Sequence, residues 1–155
     1  MADLLDTYIE NRSPVQPQHA NNHGTVHGGN VMRWMDEVGA LAATRHAGET
    51  VVTASIAQLN FERPVPIGET VLIRAYVYAT GRTSMRAYIE AFREQPRTGD
   101  EEQTTASHFV FVAVDEDGKP VEVPEVTIGS ERGEKLRQAA REDEPHSLGG
   151  GGENP

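Results

Sequence analysis

The residues of this chain that could do chemistry gather between positions 20 and 37. The run Ala20-Asn21-Asn22-His23-Gly24-Thr25-Val26-His27-Gly28-Gly29 opens onto a segment of helical periodicity. Two glycines at a helix start leave backbone N–H groups bare, and the helix dipole adds positive potential there. Gly28 and Gly29 could therefore hold an oxyanion forming from a carbonyl; the local sequence equally allows that they only make a tight turn. Two turns into the helix stands Asp36, with Met35 and Val38 of the apolar stripe on either side of the Asp36-Glu37 pair. Asp36 thus borders buried ground, whereas Glu37 can turn outward. A carboxylate at such a border is costly unless paired or working. The plainer alternative is a partly exposed acid paired with Arg33. His19, His23 and His27 recur every four residues, which on a helix would make a metal face, but the glycines make this segment a loop and no metal is expected. No Gly-x-Ser-x-Gly turn is present to support a Ser-His-Asp triad.

The elements around these residues follow from periodicity. From Asn30, Val31, Met35, Val38 and Ala42 fall on one helix face, with Trp34 and Leu41 widening it, and Gly48 after His46-Ala47 is a good stop. Residues 5–16 suit a first strand and 18–29 a loop. Residues 50–61 read as a strand closed by Pro64 and Pro66. Residues 70–80, 84–94 and 104–114 alternate with period two, the mark of antiparallel strands with one face on a core. Gly68-Glu69, Thr80-Gly81 and Arg97–Glu102 are the turns between them. One helix cannot cover both faces of such a sheet, so the expected architecture is α+β, an antiparallel sheet curled around a long central helix. The domain is expected to span residues 1–128. Past it, residues 131–142 form a charged stretch that could be helical, within a largely disordered tail (residues 129–155) that includes Gly149–Gly152.

Composition sets the surroundings. A chain of 155 residues suits one compact domain. It contains no cysteine, which excludes disulfides and thiolate metal sites. The N-terminal stretch has no basic start followed by an apolar run, and no segment is apolar enough to cross a bilayer, so a cytoplasmic protein with no membrane partner is expected. The net charge is −10, from 14 basic and 24 acidic residues. Such a surface argues against nucleic-acid binding, which needs clustered cations. Only Lys119 and Lys135 are lysines. Acid excess with scarce lysine suits a salt-rich, halophilic cytoplasm, where repulsion is screened, although an ordinary acidic cytosolic protein would also fit.

The run Ala20-Asn21-x-x-Gly24-x-Val26-His27-Gly28-Gly29, followed by Trp34-Met35-Asp36-Glu37-x-Gly39-Ala40, closely resembles the hotdog-fold acyl-CoA hydrolases, the brain-type cytosolic enzyme and its bacterial single-domain relatives. The resemblance continues through Val51-Val52-Thr53, Phe61-x-Arg63-Pro64-Val65, Gly68, Gly81-Arg82-Thr83-Ser84 and Val112-Ala113-Val114-Asp115-x-x-Gly118-Lys119-Pro120, covering roughly residues 8–124 with the motifs in order. It implies a five- or six-stranded antiparallel sheet wrapped around a central helix. It implies subunits paired sheet edge to sheet edge as a homodimer, with a hexamer of three dimers in many relatives, and active sites between subunits. It also implies thioester hydrolysis of acyl-CoA to free fatty acid and coenzyme A, in lipid metabolism. By resemblance the catalytic asparagine is Asn21 and the catalytic carboxylate is Asp36, from opposite subunits, with Thr53 near the attacking water. Gly81, Arg82, Thr83 and Ser84 fall where relatives contact coenzyme A. This chain departs from its relatives in its acidity and its poly-glycine stretch.

That chemistry needs an activated water and a stabilised carbonyl oxygen. Asp36 can be general base or direct nucleophile, Asn21 can orient the water or donate to the carbonyl, and the Gly28 and Gly29 N–H groups can form the oxyanion hole. No cofactor is expected, because a thiolate leaves readily and coenzyme A is part of the substrate. Its phosphates need cations, for which Arg63, Arg82 and Arg86 are the nearest candidates, each of which could instead be a surface ion pair. Two other readings stand beside the hydrolase. One is an enoyl-CoA hydratase using His27 with Asp36. The other is a non-catalytic acyl-CoA-binding sensor, for which no basic recognition helix is visible.

Overall fold

The structure, a computed structural model, describes residues 2–145. Its centre is α1 (Gly28–Ala47), begun two residues before the expected start. The buried residues of α1 (Val31, Trp34, Met35, Val38, Gly39, Ala42, Ala43 and His46) recur every three or four positions, so one stripe of the helix carries the packing. Gly48 ends it in the left-handed conformation at φ 68°, a geometry open to glycine at no steric cost. Gly39 allows close approach to the sheet: a β-carbon there would stand 2.3 Å from Ile89 Cδ1. Leu41, expected to widen the buried stripe, is instead 56% exposed.

Five strands follow the expected order: β1 (Ile9–Pro14), β2 (Thr50–Ile56), β3 (Thr70–Thr80), β4 (Ser84–Glu94) and β5 (Glu101–Val114). They form one antiparallel sheet in the order β1-β3-β4-β5-β2. The inner row, including Val71, Ile73, Ala75, Val77, Met85, Ala87, Ile89, Phe109 and Phe111, closes over α1 as the main core. The architecture is thus α+β, a curled antiparallel sheet around a long helix. Several strand limits differ from the sequence reading: β1 is shorter at both ends, β2 ends early, and β5 begins at Glu101 rather than 104, inside the expected Arg97–Glu102 turn. β1 begins at Ile9 because Leu4–Thr7 is a 3-10 turn capped by Asp3. β2 ends at Ile56 rather than 61, because the chain then bows away from β5.

The outer face of the sheet is also covered, which period-two alternation with a single core face did not anticipate. Tyr76, Tyr78 and Tyr88 pack there with Leu4 and Ala140 as a second apolar cluster. The cover is α2 (Glu131–Glu142), capped by the Ser130 side chain. For residues 130–145 the expectation of a largely disordered tail is therefore corrected: they include a helix docked on the sheet. Polar contacts hold it, with the Tyr76 hydroxyl donating to the Leu136 carbonyl at 2.6 Å and the Tyr88 hydroxyl to Asp143 at 3.0 Å. The His108 ring meets the Ala140 carbonyl at 2.8 Å. Residues 146–155, with the glycine run, lie outside the described residues. Among the described residues, no helix is long and apolar enough to cross a membrane.

Candidate active site

The loop before α1 is built by its own polar groups. The Asn21 Oδ1 accepts from the backbone N–H of His23 at 2.8 Å, and from the N–H and hydroxyl of Thr25 at 3.3 and 3.2 Å. The Val26 N–H donates to the Val65 carbonyl at 2.8 Å, which ties the loop to the segment entering β3. The amide NH2 of Asn21 is thereby left as the free end of a side chain held by its oxygen. Gly28 opens α1 beside it, and its N–H has no acceptor among the described residues. Asn21, Thr25, Val26, Gly28, Val31, Phe61, Arg63, Pro64 and Thr104 line a cavity of about 260 Å³.

The second glycine behaves differently from the first. The Gly29 N–H donates to His27 Nδ1 at 3.0 Å, so the expected pair of oxyanion donors narrows to Gly28 in this conformation. Histidine is an uncommon N-cap, and the Ser, Thr, Asp or Asn that usually signals such a bond is missing here. Sequence reasoning had no cue for it. The bond assigns a role to His27: its Nδ1 is an acceptor, so its Nε2 carries the proton.

Asp36 stands eight residues beyond Gly28, about 12 Å along the helix axis. It is half-buried and accepts a hydrogen bond from the Thr53 hydroxyl at 2.7 Å. Its neighbour Glu37 is exposed and pairs with Arg33 at 3.2 Å, so the alternative in which Arg33 neutralises Asp36 falls away. Asp36 and Thr53 lie on the open side of β2, whose residues are exposed along nearly all its length. The chain therefore carries two separate groups. One is Asn21 with Gly28 at the helix start; the other is Asp36 with Thr53 further along the helix.

The residues expected to meet coenzyme A are divided between these ends. Arg63 lines the Asn21 cavity, donates to the Gln103 carbonyl at 3.1 Å and stands 3.9 Å from Glu102. Gly81, Arg82, Thr83 and Ser84 form the β3–β4 hairpin, closed by the Gly81 N–H on the Ser84 carbonyl at 2.9 Å. Arg82 is exposed and pairs with Glu122 at 3.3 Å. The Thr83 carbonyl accepts from Ala113 at 3.1 Å, and Ser84 is buried. Ser84 pairs across β4 and β5 with Val112, which in turn pairs with Val52. The hairpin thus belongs to the Thr53 end of the sheet, with Arg63 near the other. Arg86 is held on the outer face by Glu144 at 2.9 Å, which removes it as a phosphate ligand.

Comparison with known proteins places the chain in a family. Residues 23–99 match the family model described as the thioesterase superfamily. An acyl-CoA thioester hydrolase of Bacillus subtilis is 33% identical over 135 residues, covering 87% of this chain and 78% of that protein. The crystal structure of an apo hexameric acyl-CoA thioesterase superposes with a TM-score of 0.82 at 36% identity, covering 90% of both chains. An acyl-CoA hydrolase of Staphylococcus aureus, solved in complex with butyryl coenzyme A, coenzyme A and coenzyme A disulfide, gives 0.82 at 29% identity over 90% of this chain and 85% of that one. Three further structures of that enzyme carry alanine in place of an asparagine, an aspartate and a threonine spaced fifteen and then seventeen positions apart, the spacing of Asn21, Asp36 and Thr53 here. The chain belongs to the thioesterase superfamily, as a hotdog-fold acyl-CoA thioester hydrolase.

Proposed function

We propose that this hydrolase completes each active site from two subunits, Asn21 and Gly28 from one and Asp36 with Thr53 from its partner. The observation that carries the reading is the separation of the two groups on one chain. Along β5, Thr104 of the Asn21 cavity and Phe111, which pairs with Thr53, stand seven residues apart, roughly 24 Å of extended strand. Pairing of two copies along β2 about a two-fold axis is antiparallel. It turns the Phe61 end of one copy toward the Thr50–Thr53 end of the other. β2 suits this, being an exposed edge strand without a charged residue. The minimum assembly is a dimer, and a hexamer of three dimers is compatible with it.

In this site the thioester carbonyl oxygen lies against the Gly28 N–H and the Asn21 amide, which carry the charge that develops there. Asp36 takes a proton from the attacking water. The Thr53 hydroxyl holds the carboxylate in position, at the cost of one acceptor lone pair. The water oxygen bonds to the carbonyl carbon, the C–S bond breaks, and the coenzyme A thiolate leaves and takes up the proton. The products are a fatty acid and coenzyme A. A thiolate leaves without electrophilic help, so no metal or redox cofactor is called for. Arg63, Arg82 and the Gly81–Ser84 hairpin remain the candidates for holding coenzyme A, and the cytoplasm is the proposed site of action. The spacing shared with the altered residues of the S. aureus enzyme supports the assignment of Asn21, Asp36 and Thr53.

The test is complementation. Asn21→Ala and Asp36→Ala should each abolish nearly all thiol release. When the two are unfolded together and re-annealed, mixed dimers hold one intact and one doubly damaged site, and activity should return to about a quarter of the wild type for random pairing at half-occupied mixed dimers. Mixed dimers shown to form without any recovery would put both residues in the same subunit's site.

A further inference from the structure

We propose that Phe61 is the residue that sets how large an acyl group the site accepts, a reading that rests on the thioesterase site proposed above and deepens it. After Ile56 the chain stays tied to β5 at two points, with the Ala57 N–H on the His108 carbonyl and the Glu62 N–H on the Thr104 carbonyl, both at 2.9 Å. Five steps along this segment answer four along β5, so one residue is extra and residues 58–61 bow outward. Bulges of this kind re-aim side chains and occur beside active sites.

Both ends of the bow are pinned by buried hydroxyls. Ser107 Oγ donates to the Ala57 carbonyl at 3.0 Å, and Thr104 Oγ1 donates to the Arg63 carbonyl. The pinned bow aims the Phe61 ring at the start of α1. A β-carbon on Gly28 would stand 3.3 Å from its Cε2. The residue is 46% exposed, so it is not a core residue that happens to reach the loop. It forms one apolar wall of the Asn21–Gly28 cavity, together with Val26, Val31 and Pro64, while Asn21, Thr25, Arg63 and Thr104 supply the polar side. A thioester whose carbonyl meets Gly28 and Asn21 puts its acyl carbons on the apolar wall, and Phe61 is the largest side chain there.

The measurement is kcat/KM for acetyl-, butyryl-, octanoyl- and lauroyl-CoA in the wild type, Phe61→Ala, Phe61→Leu and Phe61→Trp. One methylene in a hydrophobic pocket changes kcat/KM by roughly 10–200-fold. Opening the wall should therefore raise the octanoyl-to-acetyl ratio at least tenfold in Phe61→Ala, less in Phe61→Leu, and lower it in Phe61→Trp. Ratios within about twofold of the wild type in folded variants, or a uniform loss for every chain length, would overturn the assignment. The same ratios read from binding of non-hydrolysable S-ethyl and S-octyl coenzyme A separate the two claims. If the wild type releases no thiol, the hydrolase reading falls, and the binding ratios alone decide the role of Phe61.

Discussion

The sheet has two edges, and they are built in opposite ways. β1 reads Ile-Glu-Asn-Arg-Ser-Pro. It ends in proline, and its charges are tied across the outer face, Arg12 to Glu94 and Glu10 to Arg74, both at 2.9 Å. Charge and proline on an edge discourage pairing with another chain. β2 reads Thr-Val-Val-Thr-Ala-Ser-Ile, with no charge and with Val52 and Ile56 exposed at 47% and 39%. A bulge between Thr53 and Ser55 breaks its register on β5. Phe61, on the segment that follows β2, is a further exposed apolar side chain. One edge is finished within the chain; the other is the one that the proposed dimer would cover. The catalytic candidates Asp36 and Thr53 sit on the unfinished side.

The largest effect that sharpens this contrast is chemical. Asp36→Asn keeps the shape beside β2 and removes the base. Turnover should fall by about 10²–10⁴-fold, the usual range for a positioned acid or base. KM should stay level or drop, because a negative charge near an anionic substrate is gone. That split marks a role in the transition state rather than in binding. Glu37→Gln, one residue on but exposed and paired with Arg33, should leave turnover within about twofold of the wild type. If Glu37→Gln abolishes activity and Asp36→Asn does not, the carboxylate has been assigned to the wrong side of α1.

The next effect is on assembly. Val52→Lys places a buried charge wherever β2 meets a partner. It should convert the oligomer to monomer by light scattering and remove activity with it, while the circular dichroism of the fold is kept. The counterpart change at the other edge, Asn11→Lys, should alter neither mass nor activity. An active Val52→Lys monomer would show that one chain holds a whole site.

Much of this was legible in the sequence, and what was hidden has physical causes. The stripe of α1, its stop at Gly48 and the limits of β3 and β4 follow from periodicity and turn residues, because both are local properties. The end of β2 is not local: residues 57–61 keep an extended-chain composition, but the hydroxyls of Thr104 and Ser107 decide where the chain bows. The docking of α2 was hidden because Glu131–Glu142 offers the core little beyond Leu136 and Ala140, and tyrosine hydroxyls on β3 and β4 hold it. Asn21 and Asp36 stood out by motif. That they act from opposite subunits was implied only by the resemblance, not by the residues themselves, and the capture of the Gly29 N–H by His27 became visible only with the side chains in place.

A third effect distinguishes the core between the edges. Phe111 is fully buried on β5, against both α1 and Gly39. Phe111→Ala should cost about 3–5 kcal/mol in denaturant unfolding, the range for emptying such a site. This exceeds what any single ion pair at the β1 edge contributes.

The smallest effect concerns acid, and it should separate the two edges without any change of sequence at β2. β2 carries no ionisable side chain, so protonation cannot act on the strand itself. At β1, partial burial tends to raise the Glu10 carboxyl, but hydrogen bonds from Tyr8 and Arg74 and the charges of Arg74 and Arg12 outweigh it and hold the group below the usual carboxylate range. A carboxyl held low when folded binds its proton more readily when the chain is unfolded. Its stabilising contribution is therefore complete above the unfolded pKa of about 4.3 and is lost as pH falls through the lower folded value. Glu69, held low chiefly by its hydrogen bond with Arg93, acts in the same direction. Thermal unfolding followed between pH 6 and pH 3 should show the wild type losing Tm steadily below about pH 4.5. Glu10→Gln should start from a slightly lower Tm at pH 6 and fall less steeply, since glutamine keeps the shape of the contact and has no proton to gain. Both partners in that contact are more than a quarter exposed at the side chain, so solvent screening keeps the difference to a small fraction of the total acid sensitivity. Parallel Tm curves for the two proteins would mean that Glu10 is no more stabilised by the fold than by water, and that β1 is guarded by its proline and its geometry rather than by its charges.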